Sequence, residues 1–242
     1  MIHAGMVTDA PVAVGLLFVA TVVVMAAVTL WSAARVAWRL GPGAVRGVRV
    51  AGVALVGWLA LIGVLAHRGA FDDLQSMPPR FLPVLGLPLL ALLALTFSRR
   101  LAPFLAALPP AWPVAAQTFR IPVEIVLWRL AAAGVIPELL SFHGRNVDIL
   151  VGLTAPVVAY ACFVRRAWPV RIAVWWNWAG IAILLNVVVH AQLSAPTPWR
   201  IFETVPPSTF IVDWPYIWLP GFLVPLAWLF HAISLRQLRG RR

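Results

Sequence analysis

The chain has 242 residues, of which 62% are hydrophobic and only 11% are charged, whereas ordinary soluble domains carry about 25% charged residues. This composition, with a mean hydropathy of +0.91, excludes a soluble globular domain and predicts an integral membrane protein. The formal net charge of +11 comes from arginine alone, because the chain contains no lysine. In a membrane protein such a charge favours contact with an anionic bilayer over nucleic acid.

Seven apolar runs predict seven transmembrane helices in a single all-α polytopic domain over residues 1–242. In chain order the predicted spans cover residues 11–34, 50–67, 81–98, 116–137, 148–164, 172–193 and 214–235. The N-terminal stretch carries Asp9 where a signal peptide has a positive region, so the first run is expected to remain as a span. Segment 101–115 is apolar, but its Pro109-Pro110 pair predicts a short interfacial or re-entrant element instead of a full span.

The placement of arginine predicts the orientation of these spans. Thirteen arginines follow spans one, three, five and seven, four lie on the opposite side, and two belong to span four. Because positively charged loops stay in the cytoplasm, the N-terminus is predicted outside and the C-terminus inside. Seven of the eight acidic residues fall on the predicted outer side, and only Glu124 lies inside a span. The use of arginine without lysine, together with much alanine, glycine, proline and valine, favours a GC-rich bacterial genome. The protein is therefore expected in the inner (plasma) membrane of a bacterium.

The stretch SFHGRNVDILVG, residues 141–152, gathers strong polar groups on the predicted outer side. Its simplest interpretation is a helix start, at which Asn146 or Asp148 caps span five. His143 and Arg145 are more than a cap needs, so these residues are also candidates for binding a ligand.

The end of span six lies on the same predicted side, where Asn186 and His190 share a helix face at i,i+4 spacing. Two histidines with a carboxylate suit zinc or iron, but no metal-binding spacing joins His143 to His190, and no metal site is predicted. His231 precedes the inner end of span seven by a few residues, so it is expected to lie apart from the outer group.

Span four carries polar residues within an apolar run. Gln117, Arg120 and Glu124 follow i, i+3, i+7 spacing and share one helix face. Arg120 and Glu124, at i,i+4, predict a buried ion pair, because charges inside a bilayer face the interior of the bundle. The pair is either structural, tying helices together, or part of a path for protons or a ligand.

Three functions therefore stay open, and the sequence does not identify a cofactor, a ligand or an oligomeric state. The first is the binding or transport of a small molecule through a polar vestibule on the periplasmic side. Its predicted ligand-binding residues are His143, Arg145, Asp148, Asn186, His190, Glu124 and Arg120. The second is a membrane enzyme, with or without a metal, whose site lies at the periplasmic interface around His143, Asp148 and His190. The third is a structural or assembly subunit whose polar groups serve helix packing.

Two known classes of seven-helix membrane protein are excluded because this chain lacks residues that their chemistry requires. Microbial rhodopsins share the predicted topology, but without lysine this chain cannot form a retinal Schiff base. The spaced histidine motif of seven-helix membrane hydrolases related to alkaline ceramidases is also missing.

Overall fold

Apolar runs form a helical bundle in the computed structural model, which describes residues 12–239 and holds no strand in that range. The helices are α1 (Val12–Leu40), α2 (Pro42–His67), α3 (Leu82–Phe97), α4 (Ala102–Ala107), α5 (Ala111–Ala115), α6 (Arg120–Ala132), α7 (Ile149–Ala159), α8 (Val170–Ser194) and α9 (Val224–Arg239). A 3-10 turn over Ala116–Phe119 joins α5 to α6, while π-helical turns over Tyr160–Val164 and Leu219–Leu223 extend α7 and α9. Asp9, Arg241 and Arg242, which contribute to the orientation prediction, lie outside the described residues.

Four helical segments are long and apolar enough to cross a membrane: α1, α2, α8 and the segment Leu219–Arg239. The count rises to five if α3 and the segment Arg99–Ala107, which meet at a bend of 67°, form one broken span. Helices also occupy the predicted spans 116–137 and 148–164, but α6 has only 13 residues and the apolar helix Ile149–Val164 is short. The structure thus shows a helical protein with several membrane-spanning candidates, and seven spans in a fixed orientation stay a prediction.

The segment 35–49, predicted as a loop, is almost entirely helical. Helix α1 continues to Leu40 and α2 begins at Pro42, so Gly41 alone separates them. Gly41 makes the turn at a φ of 104°, a conformation that glycine adopts without a steric penalty. The prediction was wrong because hydropathy marks where a helix meets polar surroundings and not where its hydrogen bonds end.

The proline-rich segment breaks where predicted, and α4 ends before the Pro109-Pro110 pair. Its second half, α5, runs without interruption through the 3-10 turn into α6. Pro113 fits near the start of α5 because the first turn of a helix needs no backbone donor there. The first half of the segment is therefore a short separate helix, and the second half is continuous with the helix of predicted span four.

Helix α9 lies at the centre of the bundle, whereas α2 lies at its edge. In the most apolar part of each helix, 67% of the residues are buried in the segment Leu219–Arg239 that contains α9, but only 11% are buried in α2. Helix α9 packs against α3 and α8, and α6 packs against α1 and α7. Polar side chains that α6 and α9 direct inward therefore need hydrogen-bond partners within the bundle.

Candidate functional site: a buried polar centre

Arg120, the first residue of α6, lies at the middle of a buried polar cluster, with 2% of its surface exposed. Its Nε donates to Gln117 Oε1 at 3.1 Å, one turn earlier on the same helical segment. Its Nη1 donates to the carboxylate of Asp148, which stands just before α7. Its Nη2 lies 3.1 Å from Nε2 of His231 on α9. One guanidinium thus joins three parts of the chain, and each of its nitrogens has an acceptor.

The contacts of His231 determine its protonation state. A guanidinium can only donate, so Nε2 of His231 accepts from Arg120 and carries no proton. The proton of the neutral ring is then on Nδ1, which donates to Oδ1 of Asn177 on α8 at 2.9 Å. The amide nitrogen of Asn177 donates in turn to Ser234 Oγ at 2.9 Å and to the Ala173 carbonyl at 2.7 Å. This consistent set of donors and acceptors ties α6, α8 and α9 together.

Two glycines permit the close helix packing that this cluster requires. A Cβ built on Gly180 would lie 2.4 Å from Cε1 of His231, so only glycine leaves room for the ring against α8. A Cβ on Gly152 would lie 2.9 Å from Cγ1 of Ile121, at the place where α7 approaches the start of α6. Gly152 is one turn beyond Asp148, so this close approach lets the Asp148 carboxylate reach Arg120.

Glu124 is buried as predicted, with 1% of its surface exposed, but the predicted ion pair with Arg120 is wrong. Glu124 Oε1 instead accepts from Nδ2 of Asn146 at 2.7 Å. Glu124 Oε2 is also buried and has no hydrogen-bond partner among residues 12–239. Spacing along the helix brought the two side chains to one face, but the loop before α7 supplied a closer carboxylate to the arginine.

The polar stretch 141–148 divides into residues that point inward and residues that point outward. Asn146 and Asp148 are buried, and Asn146 Oδ1 accepts from the Asp148 backbone amide at 3.0 Å. His143 and Arg145 are exposed. The prediction that Asn146 or Asp148 caps this helix is therefore wrong for Asp148, whose side chain makes no capping hydrogen bond, whereas Asn146 does accept from the backbone amide that immediately precedes α7. The Asp148 carboxylate is already used by Arg120.

Of the remaining predicted ligand-binding residues, Asn186 and His190 lie near the C-terminal end of α8. Asn186 Nδ2 donates to the Arg145 carbonyl at 3.1 Å, so the loop before α7 contacts α8 through Arg145, while Asp148 of the same loop turns to Arg120. His190 Nδ1 lies 2.8 Å from the Asn186 carbonyl, and its ring stacks on Phe202 with centroids 5.1 Å apart. His143 packs instead against Phe142, at 4.9 Å. These residues form a surface contact and do not join the buried cluster.

The predicted site thus separates into a buried polar centre and an outer surface group. The buried centre comprises Gln117, Arg120, Glu124, Asn146, Asp148, Asn177, His231 and Ser234. Within residues 12–239, no three histidine, cysteine, aspartate or glutamate side chains are placed to hold one metal ion. His231 was expected to lie apart from Asp148, and this was wrong, because Arg120 is long enough to bridge them. Sequence reasoning missed Asn177 and placed His231 apart from the site. The signal that could have indicated both is that each is a polar residue within an apolar helix, α8 or α9.

A second pair of carboxylates lies outside the candidate spans. Asp213 and Asp72 line a small cavity with Leu74, Thr209 and Val212. Partial burial, and then the neighbouring charge of Asp72, raise the pKa of Asp213 from 3.8 to about 7. Asp213 is therefore expected to change its protonation state near neutral pH.

Residues 78–239 match the family described as a domain of unknown function, DUF8737, and the chain belongs to this family. No curated protein and no solved structure matches the chain. The matched range contains every residue of the buried polar centre and leaves out α1 and α2. The centre therefore lies entirely within the matched range, and α1 and α2 contribute no residue to it.

Proposed function

We propose that this member of the DUF8737 family is a multi-pass inner-membrane protein of a bacterium that binds or transports a small molecule through a polar vestibule on its periplasmic side. In this proposal seven spans cross the membrane with the N-terminus outside. The vestibule begins at the surface group of Arg145 and Asn186 and leads inward to the buried polar centre. Ionisable residues inside a membrane bundle are costly and usually mark a path for an ion or substrate.

The observation that carries this proposal is the second carboxylate of the centre. Arg120 pairs with Asp148, and no arginine or histidine nitrogen among the described residues, Arg120 included, lies within 4.0 Å of Glu124. An ionised Glu124 would therefore be a buried charge without a counter-ion, which is costly. A small cation that donates a hydrogen bond to Oε2 would complete both the charge and the hydrogen bonding. The ligand class that fits is a small ammonium or amine.

The geometry favours binding over a proton relay through the centre. Arg120 stands between Asp148 and His231, and a guanidinium does not release its proton at physiological pH. The enzyme alternative has less support, since His143 and His190 contact different partners on the surface. The structural alternative is favoured by one observation, the acceptors on all three nitrogens of Arg120. In that case Glu124 holds a proton and binds no cation.

Ammonium and potassium ions separate these alternatives, because they have nearly equal size and only ammonium donates hydrogen bonds. We expect ammonium chloride, but not potassium chloride, to raise the Tm of the detergent-purified protein. At 100 times the dissociation constant the stabilisation is about 2.7 kcal/mol, which corresponds to a rise of roughly 5–10 °C. Glu124→Gln should remove the response, while Glu138→Gln, at an exposed carboxylate, should keep it.

Equal responses to the two ions, or an ammonium response that survives in Glu124→Gln, would contradict binding at this centre. The membrane arrangement is tested separately with reporter fusions. Fusions after residue 98 should report the cytoplasm, and fusions near residue 205 should report the periplasm. A periplasmic signal at residue 98 would overturn the orientation.

A further inference from the structure

A second concave site lies at the turn between α1 and α2, outside the range that matches the family. The cavity has a volume of about 460 Å³. Its lining residues are Trp38, Gly41, Pro42, Val45, Arg46 and Arg49. None of them belongs to the buried polar centre, so this site needs an explanation of its own.

The cavity is positively charged and has no carboxylate to neutralise it. Arg46 and Arg49 stand at i,i+3 on the first turns of α2, so both reach the same side of the helix. Among residues 12–239, no aspartate or glutamate oxygen lies within 4.0 Å of either arginine. The N-terminus of α2 adds the positive end of a helix dipole. A guanidinium pair of this kind matches the oxygens of a phosphate group.

The neighbouring residues place the cavity at the boundary between a membrane and water. Beyond Arg49, α2 presents exposed apolar side chains, with Val50 64% and Val53 75% exposed. Such a surface is covered by acyl chains in a bilayer. Trp38, on the rim of the cavity, is 71% exposed, and exposed tryptophans are enriched at the level of lipid headgroups. The two arginines therefore lie at the depth of lipid phosphates.

We propose that this cavity binds the headgroup of an anionic phospholipid, whose phosphate contacts Arg46 and Arg49 beside Trp38. The acyl chains of the lipid then run along the exposed valine face of α2. A zwitterionic lipid offers the same phosphate but adds a cationic group that the arginines repel, so the site discriminates by headgroup charge. The proposal does not depend on solute binding at Glu124.

Native mass spectrometry of the full chain tests this inference. Protein released from detergent with equal amounts of phosphatidylglycerol and phosphatidylcholine should retain one phosphatidylglycerol preferentially. The variant Arg46→Gln/Arg49→Gln should lose that preference by about fivefold for each arginine, or roughly 30-fold in all. The matched control is Arg99→Gln/Arg100→Gln, which removes the same charge from exposed positions away from the cavity.

The control should retain phosphatidylglycerol as the parent does. An equal loss in both double variants would overturn the proposal, because net charge and not the cavity would then determine retention. Retention of both lipids without preference would overturn it as well. Displacement of the bound lipid by millimolar inorganic phosphate would show a site for free phosphate, which contradicts a lipid headgroup site. Circular dichroism of each variant verifies that a loss does not reflect unfolding.

Discussion

Asp148→Asn separates two roles of this residue by the size of the effect. If Asp148 only capped α7, asparagine would replace it at almost no cost, because the two residues are nearly equivalent caps. In the structure its carboxylate instead pairs with Arg120, and the side chains are 9% and 2% exposed. Removing one partner of a buried pair typically costs 3–5 kcal/mol, because the other charge is left uncompensated. We therefore expect Asp148→Asn to lower the free energy of unfolding by about 3–5 kcal/mol.

The assay is equilibrium unfolding in mixed micelles at neutral pH, with increasing SDS and circular dichroism as the signal. Glu138→Gln, at an exposed carboxylate, serves as the control and should unfold like the parent. The double variant Arg120→Met/Asp148→Leu should cost less than the sum of the two single changes, because neither charge is then left alone. An Asp148→Asn variant within about 0.5 kcal/mol of the parent would refute the ion pair as a stabilising contact.

Two further predictions concern helix packing and pH. Gly180→Ala should destabilise the protein by about 1–3 kcal/mol, because its Cβ would lie 2.4 Å from the His231 ring. Gly57→Ala, at a position inside α2 with open space around it, should not destabilise the protein and is expected to stabilise it by up to about 1 kcal/mol. SDS unfolding of both variants measures this difference. The pKa of Asp213 is raised in the fold to about 7, so its contribution to stability is fully present below about pH 4 and is lost as the pH rises to 7. Asp213→Asn should therefore flatten the fall in Tm between pH 4 and 7, and an unchanged pH profile would show that the pair with Asp72 does not act in this way.

The helical content and its approximate positions follow from the sequence alone. Every predicted span coincides with helix for most of its length, because a run of apolar residues without charges favours an internally hydrogen-bonded segment. The break at Pro109-Pro110 also follows from local chemistry, since proline lacks the donor that a helix interior needs. Both features depend only on residues that are adjacent in the chain, so they can be predicted directly from the sequence.

The partners of the polar groups could not be predicted in the same way. Local spacing paired Arg120 with Glu124, four residues away, but the fold pairs it with Asp148, 28 residues away, and with His231, 111 residues away. A buried guanidinium takes the acceptors that reach it with the best geometry, and these depend on how closely α7 and α9 approach α6. Periodicity predicts which face of a helix a residue occupies, but not what stands opposite that face.

The sequence by itself determined that this protein is helical and apolar, with charge concentrated at particular positions, because hydropathy and helix formation are sums over adjacent residues. Only the tertiary structure decided that Asn146 and Asp148 turn inward while His143 and Arg145 face outward within one short stretch. From the sequence alone, residues 141–152 are equally compatible with a helix cap and with a ligand-binding site at the surface. Its inner residues are held by Glu124 and Arg120, and these contacts exist only once α6 and α7 have packed together.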